Sequence, residues 1–404
     1  MRGGKVAVVG GSIAGCAAAL ALGRGGTETI TVYERASGRL ADRGVGLAVH
    51  NTRYAELEAA GHLDASMPWV RMARRRWYVR DDVAANGPLG RVIAVMPFPF
   101  RTYTWGPLWH ELRRRVPGTA DFRPGSAVEA VEVTPDGAEV HANGRTERYD
   151  VVIGADGYRS TVRAAVYADV RPGYAGYLAW RGAYPSARLR EPELWAEDEC
   201  AYVVFEGGHL IVYRIPDGTD GGHRVNWVLY TAPPPGLDQG LETPTSLPPG
   251  TAGDGLRAHL AYVAADLLPP YWGDLVRETT HDELFLQPMY DFTAPRYTVG
   301  RALLMGDAAA VARPHTGAGA VKALQDATVL ESALTSTTTW PEALAAYDAE
   351  RTPSGRVMVD LGRRLGRALV QETPSWRTLD QTGLETWWKQ ADGTGAFGGR
   401  ELKG

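Results

Sequence analysis

The stretch VAVVGGSIAGCAAALAL, residues 6–22, joins a short apolar run to an alanine-rich one through Gly10, Ser12, Ile13, Ala14 and Gly15. A strand, a glycine turn and a helix in this order bind the pyrophosphate of a dinucleotide, the helix N-terminus offering backbone N–H groups and the positive end of its dipole. The next apolar run ends in Glu34, 24 residues after Gly10, with Arg35 behind it. A carboxylate at that place accepts hydrogen bonds from a ribose. Ser12 stands where the pattern has its middle glycine; serine adds little bulk, and its hydroxyl can donate to a phosphate oxygen. The same letters approximate the G-x-S-x-G elbow of a serine hydrolase, but that elbow follows several strands and here its fifth position is Ala14.

Two later runs end in carboxylates as well. DVVIGADGYRSTVR, residues 150–163, closes an apolar strand on Asp156 and Gly157. RALLMGDAAAVARPHTGAGAVKALQDA, residues 301–327, closes another on Gly306 and Asp307, after which Gly317, Ala318 and Gly319 open a helix. Each sets an acid at the carboxyl end of a strand, where open α/β sheets bind ligands.

These turns need a parallel sheet with helices packed on it, and the chain supplies the pattern. Strands are expected at 5–9, 30–33, 127–133, 138–142, 149–153, 283–290 and 302–305, with helices at 14–23, 53–60, 108–116, 255–267, 318–334 and 341–370. Residues 75–82 and 90–98 alternate in strand fashion about Asn86-Gly87-Pro88 and read as a hairpin outside that sheet. Residues 173–230 are rich in aromatic and β-branched types and read as antiparallel strands of a second layer. The proline- and glycine-rich stretch 231–255 reads as a surface connection.

Composition excludes several classes. The 404 residues carry 43 basic and 47 acidic side chains, a formal charge of −4, and the arginine triplets at 74–76 and 113–115 are short. No nucleic-acid partner is indicated. Two cysteines, Cys16 and Cys200, give no disulfide framework, and nine scattered histidines give no metal site. Without a run of about 18 apolar residues no membrane span is expected, and a cytoplasmic location is. The sequence leaves monomer or homodimer open.

Taken in order, the glycine turn with Glu34, the D-G segment with Asp156 and the G-D segment with Asp307 resemble the FAD-dependent aromatic hydroxylases of the para-hydroxybenzoate hydroxylase type. RPHTGAGAVKALQDA and YAGYLAWRGAYP, residues 174–185, are similar to the 2,6-dihydroxypyridine hydroxylase branch. The resemblance implies an α/β chain with a Rossmann-like FAD-binding domain on a parallel sheet, an antiparallel-sheet substrate domain and C-terminal helices. It implies that residues 1–72, 100–170 and 283–370 form the discontinuous FAD domain, 73–99 and 171–282 the substrate domain, and 371–404 a tail.

By the same resemblance Glu34 holds the adenosine ribose, the 10–15 turn the pyrophosphate and Asp307 the ribityl chain. Asp156 and Gly157 support the pyrophosphate region, and Arg43 lies near the flavin or the pyridine nucleotide. Pro314 and His315 lie beside the flavin ring. Pro314, His315 and Arg181 are the candidate catalytic residues, and Trp180, His209 and Tyr213 are candidate substrate contacts; strand alternation sets Trp180 and Arg181 on opposite faces. Many relatives have arginine where Trp105 stands and histidine where Ala310 stands. The implied activity is that of a single-component monooxygenase: NADPH or NADH reduces FAD, oxygen adds, and a flavin hydroperoxide hydroxylates or epoxidises a small aromatic or heteroaromatic substrate. A dehydrogenase or reductase of the same fold, or a flavin-binding sensor without turnover, are the alternatives.

Overall fold

A computed structural model describes residues 4–38, 46–81, 87–218, 221–237, 241, 247, 250–393 and 395–399. In chain order the elements are β1 (Lys5–Val9), α1 (Ile13–Arg24), β2 (Thr29–Glu34), β3 (Gly46–His50), α2 (Asn51–Ala59), β4 (Val70–Val79), β5 (Arg91–Thr104), α3 (Trp105–Arg115), β6 (Asp121–Pro124), β7 (Val128–Thr134), β8 (Gly137–Ala142), β9 (Arg145–Tyr149), β10 (Val151–Gly154) and α4 (Thr161–Val166). They continue with β11 (Gly173–Pro185), β12 (Glu199–Phe205), β13 (Gly208–Asp217), β14 (Gly222–Thr231), α5 (Asp254–Tyr262), α6 (Pro270–Arg277), β15 (Phe285–Thr293), β16 (Thr298–Val299), β17 (Ala302–Leu304), β18 (Ala310–Val311), α7 (Gly319–Ser336), α8 (Trp340–Gly366) and α9 (Gln381–Asp392).

The parallel sheet runs β16-β17-β10-β1-β2-β6, with β16 alone antiparallel. Val6 pairs with Val151 on one side and Ile30 on the other, and Val152 pairs with Ala302. This register brings the ends of β1, β10 and β17 side by side, so the three turns read from the sequence share one edge. Both faces are covered, which is why these strands are continuously apolar. Cys16, Ala17, Ala18 and Ala19 of α1 are wholly buried in this core, and their small side chains let the helix approach closely.

The second sheet has nine strands in the order β18-β15-β11-β14-β13-β12-β4-β5-β3. Its pairs are antiparallel except β12 on β4, where Ala201 meets Arg76 in parallel register. The two faces separate two cores. Alternation along β11 sends Leu178 and Trp180 into one, with Trp195, Trp227 and Trp272, and sends Tyr177 and Ala179 into the other.

Three boundaries differ from the sequence expectation. Strand β15, grouped there with the FAD domain, is hydrogen-bonded to β11 in the nine-stranded sheet, where Trp180 pairs with Leu286. Strand β3 joins the same sheet through β5, Ala48 opposite Thr102. Residues 371–399 are no bare tail: α9 covers the β4–β5 hairpin, and Trp77 packs against Trp376, Trp387 and Trp388.

Candidate active site

Two cavities open along the shared edge of the sheets. The larger, about 700 Å³, lies over the ends of β1, β2 and β10; the smaller, about 310 Å³, lies between the nine-stranded sheet and the start of α7. Leu47, Tyr158, Asp307, Gly319 and Ala320 line both, so the two spaces adjoin along these residues.

The glycine turn forms the floor of the larger cavity. Gly10 has φ +103° and Gly15 is so close to it that a Cβ there would overlap the Gly10 carbonyl oxygen. Gly10, Ser12, Ile13 and Ala14 line the space, and Gly15 sits behind them. Ser12 is the N-cap residue of α1, yet its side chain makes no capping hydrogen bond, which leaves the hydroxyl to a ligand. No histidine lines this cavity among the described residues, so the serine–histidine pair of a hydrolase elbow finds no support.

Glu34 and Arg35 line the same cavity. The Glu34 carboxylate accepts from the N–H groups of Gly11 and Ala36, both at 2.8 Å, which fixes its orientation and leaves lone pairs for a ribose. On the opposite wall Asp156 accepts from the Thr161 N–H at 2.7 Å through Oδ2, while its buried Oδ1 has no partner. Burial raises its pKa above the usual carboxylate range. Arg163 ties this segment to the third turn, donating to the carbonyl oxygens of Tyr158 at 2.6 Å and Ala308 at 3.1 Å. Trp105 lines the wall and stacks on Trp109, whose indole N–H donates to the Gly11 carbonyl at 2.9 Å.

Asp307 stands at the junction, its side chain open to the cleft and its pKa raised by the protein packed around it. The turn that carries it is clamped from below. Gly306 donates its N–H to Asp326 Oδ2 at 2.8 Å and accepts from Lys322 Nζ at 3.1 Å. Asp326 also accepts from Lys322 at 2.8 Å and Arg351 at 2.7 Å. All three side chains are at most 3% exposed. Despite its burial, Asp326 is held below the usual carboxylate range by its two cations. None of the three was singled out from the sequence, although Lys322 and Asp326 have the i,i+4 spacing of a helical ion pair.

The smaller cavity takes Pro314, His315, Gly317, Ala318 and Gly319 from the turn before α7. Arg181 and Tyr213 project into it from the sheet, Tyr213 donating to the Gly46 carbonyl at 3.1 Å. Trp180 does not reach it. As strand alternation requires, its indole is fully buried in the core on the far face, and the expected substrate contact is corrected on that ground. His209 lies behind the wall, its ring centre 5.2 Å from that of His315, and donates Nδ1–H to the Leu369 carbonyl at 3.2 Å. Arg43 lies outside the described residues. Further lining comes from residues the sequence reading did not name: Phe98 and Phe100 of β5, Tyr202 of β12, Tyr230 of β14, Gln287 of β15 and Phe397. Glu132, Glu139 and His141 bring ligand atoms within 4.8 Å of one another on the small β7–β9 sheet, outside both cavities.

A family model described as an FAD binding domain matches residues 264–362, and one described as FAD binding domain-like matches residues 174–291. The chain is 30% identical over 381 residues to 2,6-dihydroxypyridine 3-monooxygenase of Paenarthrobacter nicotinovorans, covering 90% of this chain and 91% of that one. The chain belongs to the FAD-dependent aromatic hydroxylases. Its fold matches that of 2,6-dihydroxypyridine-3-hydroxylase from Arthrobacter nicotinovorans with a TM-score of 0.81 at 24% identity, over 92% of this chain and 94% of that one. Klebsiella pneumoniae HpxO, solved with FAD and uric acid, matches with a TM-score of 0.74 at 22% identity, over 97% and 94%. This hydroxylase is an NAD(P)H-using FAD monooxygenase of the same α/β architecture. Its residues fit the cofactor: a Cβ at Gly10 or Gly15 would collide with the backbone that shapes the turn, Asp156 keeps an unpartnered buried oxygen, and the N-termini of α1 and α7 lack side-chain caps. Among the described residues no helix is long and apolar enough to cross a membrane.

Proposed function

We propose that the two adjoining cavities hold FAD and an electron-rich aromatic or heteroaromatic substrate end to end, and that the chain hydroxylates that substrate. The observation that carries this reading is that the two spaces adjoin, with Asp307 among the residues lining both. Residues 10–15, Glu34, Arg35, Asp156 and Gly157 hold the adenine dinucleotide half; Gly306, Asp307 and residues 317–319 hold the ribityl chain and ring. FAD, when bound, would supply the redox chemistry, with NAD(P)H as two-electron donor and dioxygen as oxidant, one oxygen atom entering the substrate and the other leaving as water.

The protein's own part is to bind, orient and keep water out. Phe98, Phe100 and Met289 give the smaller cavity apolar walls that receive a flat ring. Tyr202, Tyr213 and Tyr230 line it too, and burial raises the pKa of each, so they remain neutral hydrogen-bond donors. His315 is kept neutral by burial, and its Nδ1, buried without a partner, is available to hydrogen-bond a ring substituent. Arg43, which the family resemblance sets near the flavin or the pyridine nucleotide, is proposed to aid the reduction step.

The test is a panel of a phenol, a pyridine, an indole and a quinone, each incubated with FAD-loaded protein and NADPH, with oxygen uptake and product mass recorded. A product heavier by one oxygen atom supports the reading. NADPH oxidation without product favours a reductase, and flavin binding without any turnover favours a sensor.

A further inference from the structure

Of the described residues that line the smaller cavity, Phe397 alone comes from beyond Ala320. The others lie on strands, on the turns that follow them and on the first turn of α7; the chain reaches the cavity again only after α9. Phe98 and Phe100 of β5 stack on each other with ring centres 4.1 Å apart, and Phe397 packs across both, at 6.2 Å and 5.7 Å. The three rings make one apolar wall.

Phe397 is held in this wall from several sides. Its N–H donates to the Asp392 carboxylate at the end of α9 at 3.3 Å, and Trp388 of the same helix meets its ring edge-on, with centres 5.2 Å apart. Behind the ring lies buried Arg75 of β4, its guanidinium carbon 3.9 Å from the ring centre of Trp388 and 5.3 Å from that of Phe397, so one cation draws both rings together. The backbone that follows is fitted as closely. Gly398 has φ +73°, and a Cβ on it would lie 2.6 Å from the Phe100 ring; one on Gly399 would lie 3.2 Å from Val321 and 3.6 Å from Ala318. The segment therefore crosses from β5 to the start of α7, and the ring has no room to swing aside.

The cavity, at about 310 Å³, is at the lower end of ligand-pocket sizes, and the 317–319 turn that holds the flavin ring in the reading above lines it as well. Little space is left for a substrate. Phe98 and Phe100 belong to a strand whose pairing depends on its neighbours, whereas Phe397 lies on no strand, so its size sets the width of the site while both sheets keep their register. A packed wall yields little to an oversized ligand. We propose that Phe397 is the specificity-determining residue for substrate size: it restricts the hydroxylase to single-ring phenols and hydroxy-heterocycles and excludes fused bicyclic ones. This rests on the reading of the smaller cavity as the substrate site.

The experiment titrates FAD-loaded protein with two matched pairs, phenol against 2-naphthol and 3-hydroxypyridine against 3-hydroxyquinoline, by flavin absorbance and calorimetry. The second ring adds apolar surface, which in an open site tightens binding. In the wild type the two-ring member nevertheless binds no more tightly than its one-ring partner. Phe397→Ala moves the ratio of the two dissociation constants tenfold or more toward the two-ring ligand, and the one-ring constants stay within threefold of wild type. Phe397→Leu, which keeps an apolar side chain in the wall, moves the ratio the same way by threefold or more and decides the matter if the alanine variant does not fold. Tighter wild-type binding of the two-ring member in both pairs, or a ratio that shifts by less than twofold in the folded variants, overturns the proposal. FAD content is measured on the same samples. Variants that hold FAD and bind the probes with an unmoved ratio refute this inference alone, whereas wild-type protein that retains no FAD, or that holds FAD and binds none of the four probes, refutes the site reading.

Discussion

The hydroxyl of Tyr177 lies 2.7 Å from Nε2 of His315, and both side chains are buried. The bond joins β11 to the 314–317 turn and so fixes the cavity wall against the sheet. Tyr177→Phe leaves that ring nitrogen buried and unpartnered, at a cost of about 1–3 kcal/mol. Denaturant unfolding of the apoprotein measures it, and a midpoint equal to wild type would show that the bond does not restrain the turn.

Removing the shared anion beneath the Gly306 turn is expected to be more damaging. Asp326→Ala strands both Lys322 and Arg351 in the core, where loss of one partner of a buried ion pair costs about 3–5 kcal/mol. FAD retention should fall with it, because the N–H of Gly306 loses its acceptor. Thermal unfolding with and without added FAD separates the two effects.

The glycine turn offers a contrast between two single substitutions. Ser12→Gly removes a side chain that caps nothing, so FAD affinity should stay within about 1 kcal/mol of wild type. Gly15→Ala sets a methyl group into the Gly10 carbonyl and should abolish FAD retention. Titration of apoprotein with FAD reads both.

Three buried histidines make the fold sensitive to acid. Burial lowers His62 to about 4, aided by Arg24 and Arg115, lowers His209 to about 3, and lowers His315 well below its usual range. Unfolded, each takes up a proton near pH 6.5; folded, each does not until far lower pH. The unfolded state therefore binds more protons in this window, and stability falls as pH drops from about 6.5 toward 4, by about 1.4 kcal/mol per pH unit for each histidine. His62→Gln should remove one proton's share of that slope. Urea midpoints recorded from about pH 4 to pH 8 test it, and an unchanged slope rules His62 out.

The parallel unit was legible because its signals are local: an apolar run, a glycine turn and an alanine-rich helix follow one another within residues 5–24. Sheet membership is not local, so β15 was read as a strand and assigned to the wrong neighbours. Strand β6 is too short at four residues to show a period, and α6 begins at Pro270 directly after Pro269, where the pair reads as a break. Alternation separated Trp180 from Arg181 but could not say which face held the cavity. Lys322 and Asp326 look like any surface pair on a helix, and only the packing of α8 buries them. The tryptophans at 376, 387 and 388 were a sign, unread, that the C-terminal segment packs down.

The order of the parallel sheet also sets a schedule for biosynthesis. Strand β1 sits between β2 and β10, and β10 needs β17, whose residues 302–304 are made almost last among its partners. At roughly 5–20 residues per second, on the order of 15–60 s pass between the first strand and the one that completes its sheet. For about the second half of that interval Val151–Gly154, once made, presents an unpaired apolar edge, so the nascent chain is a natural client for a ribosome-associated chaperone, and slowing translation downstream of β10 would lengthen its exposure.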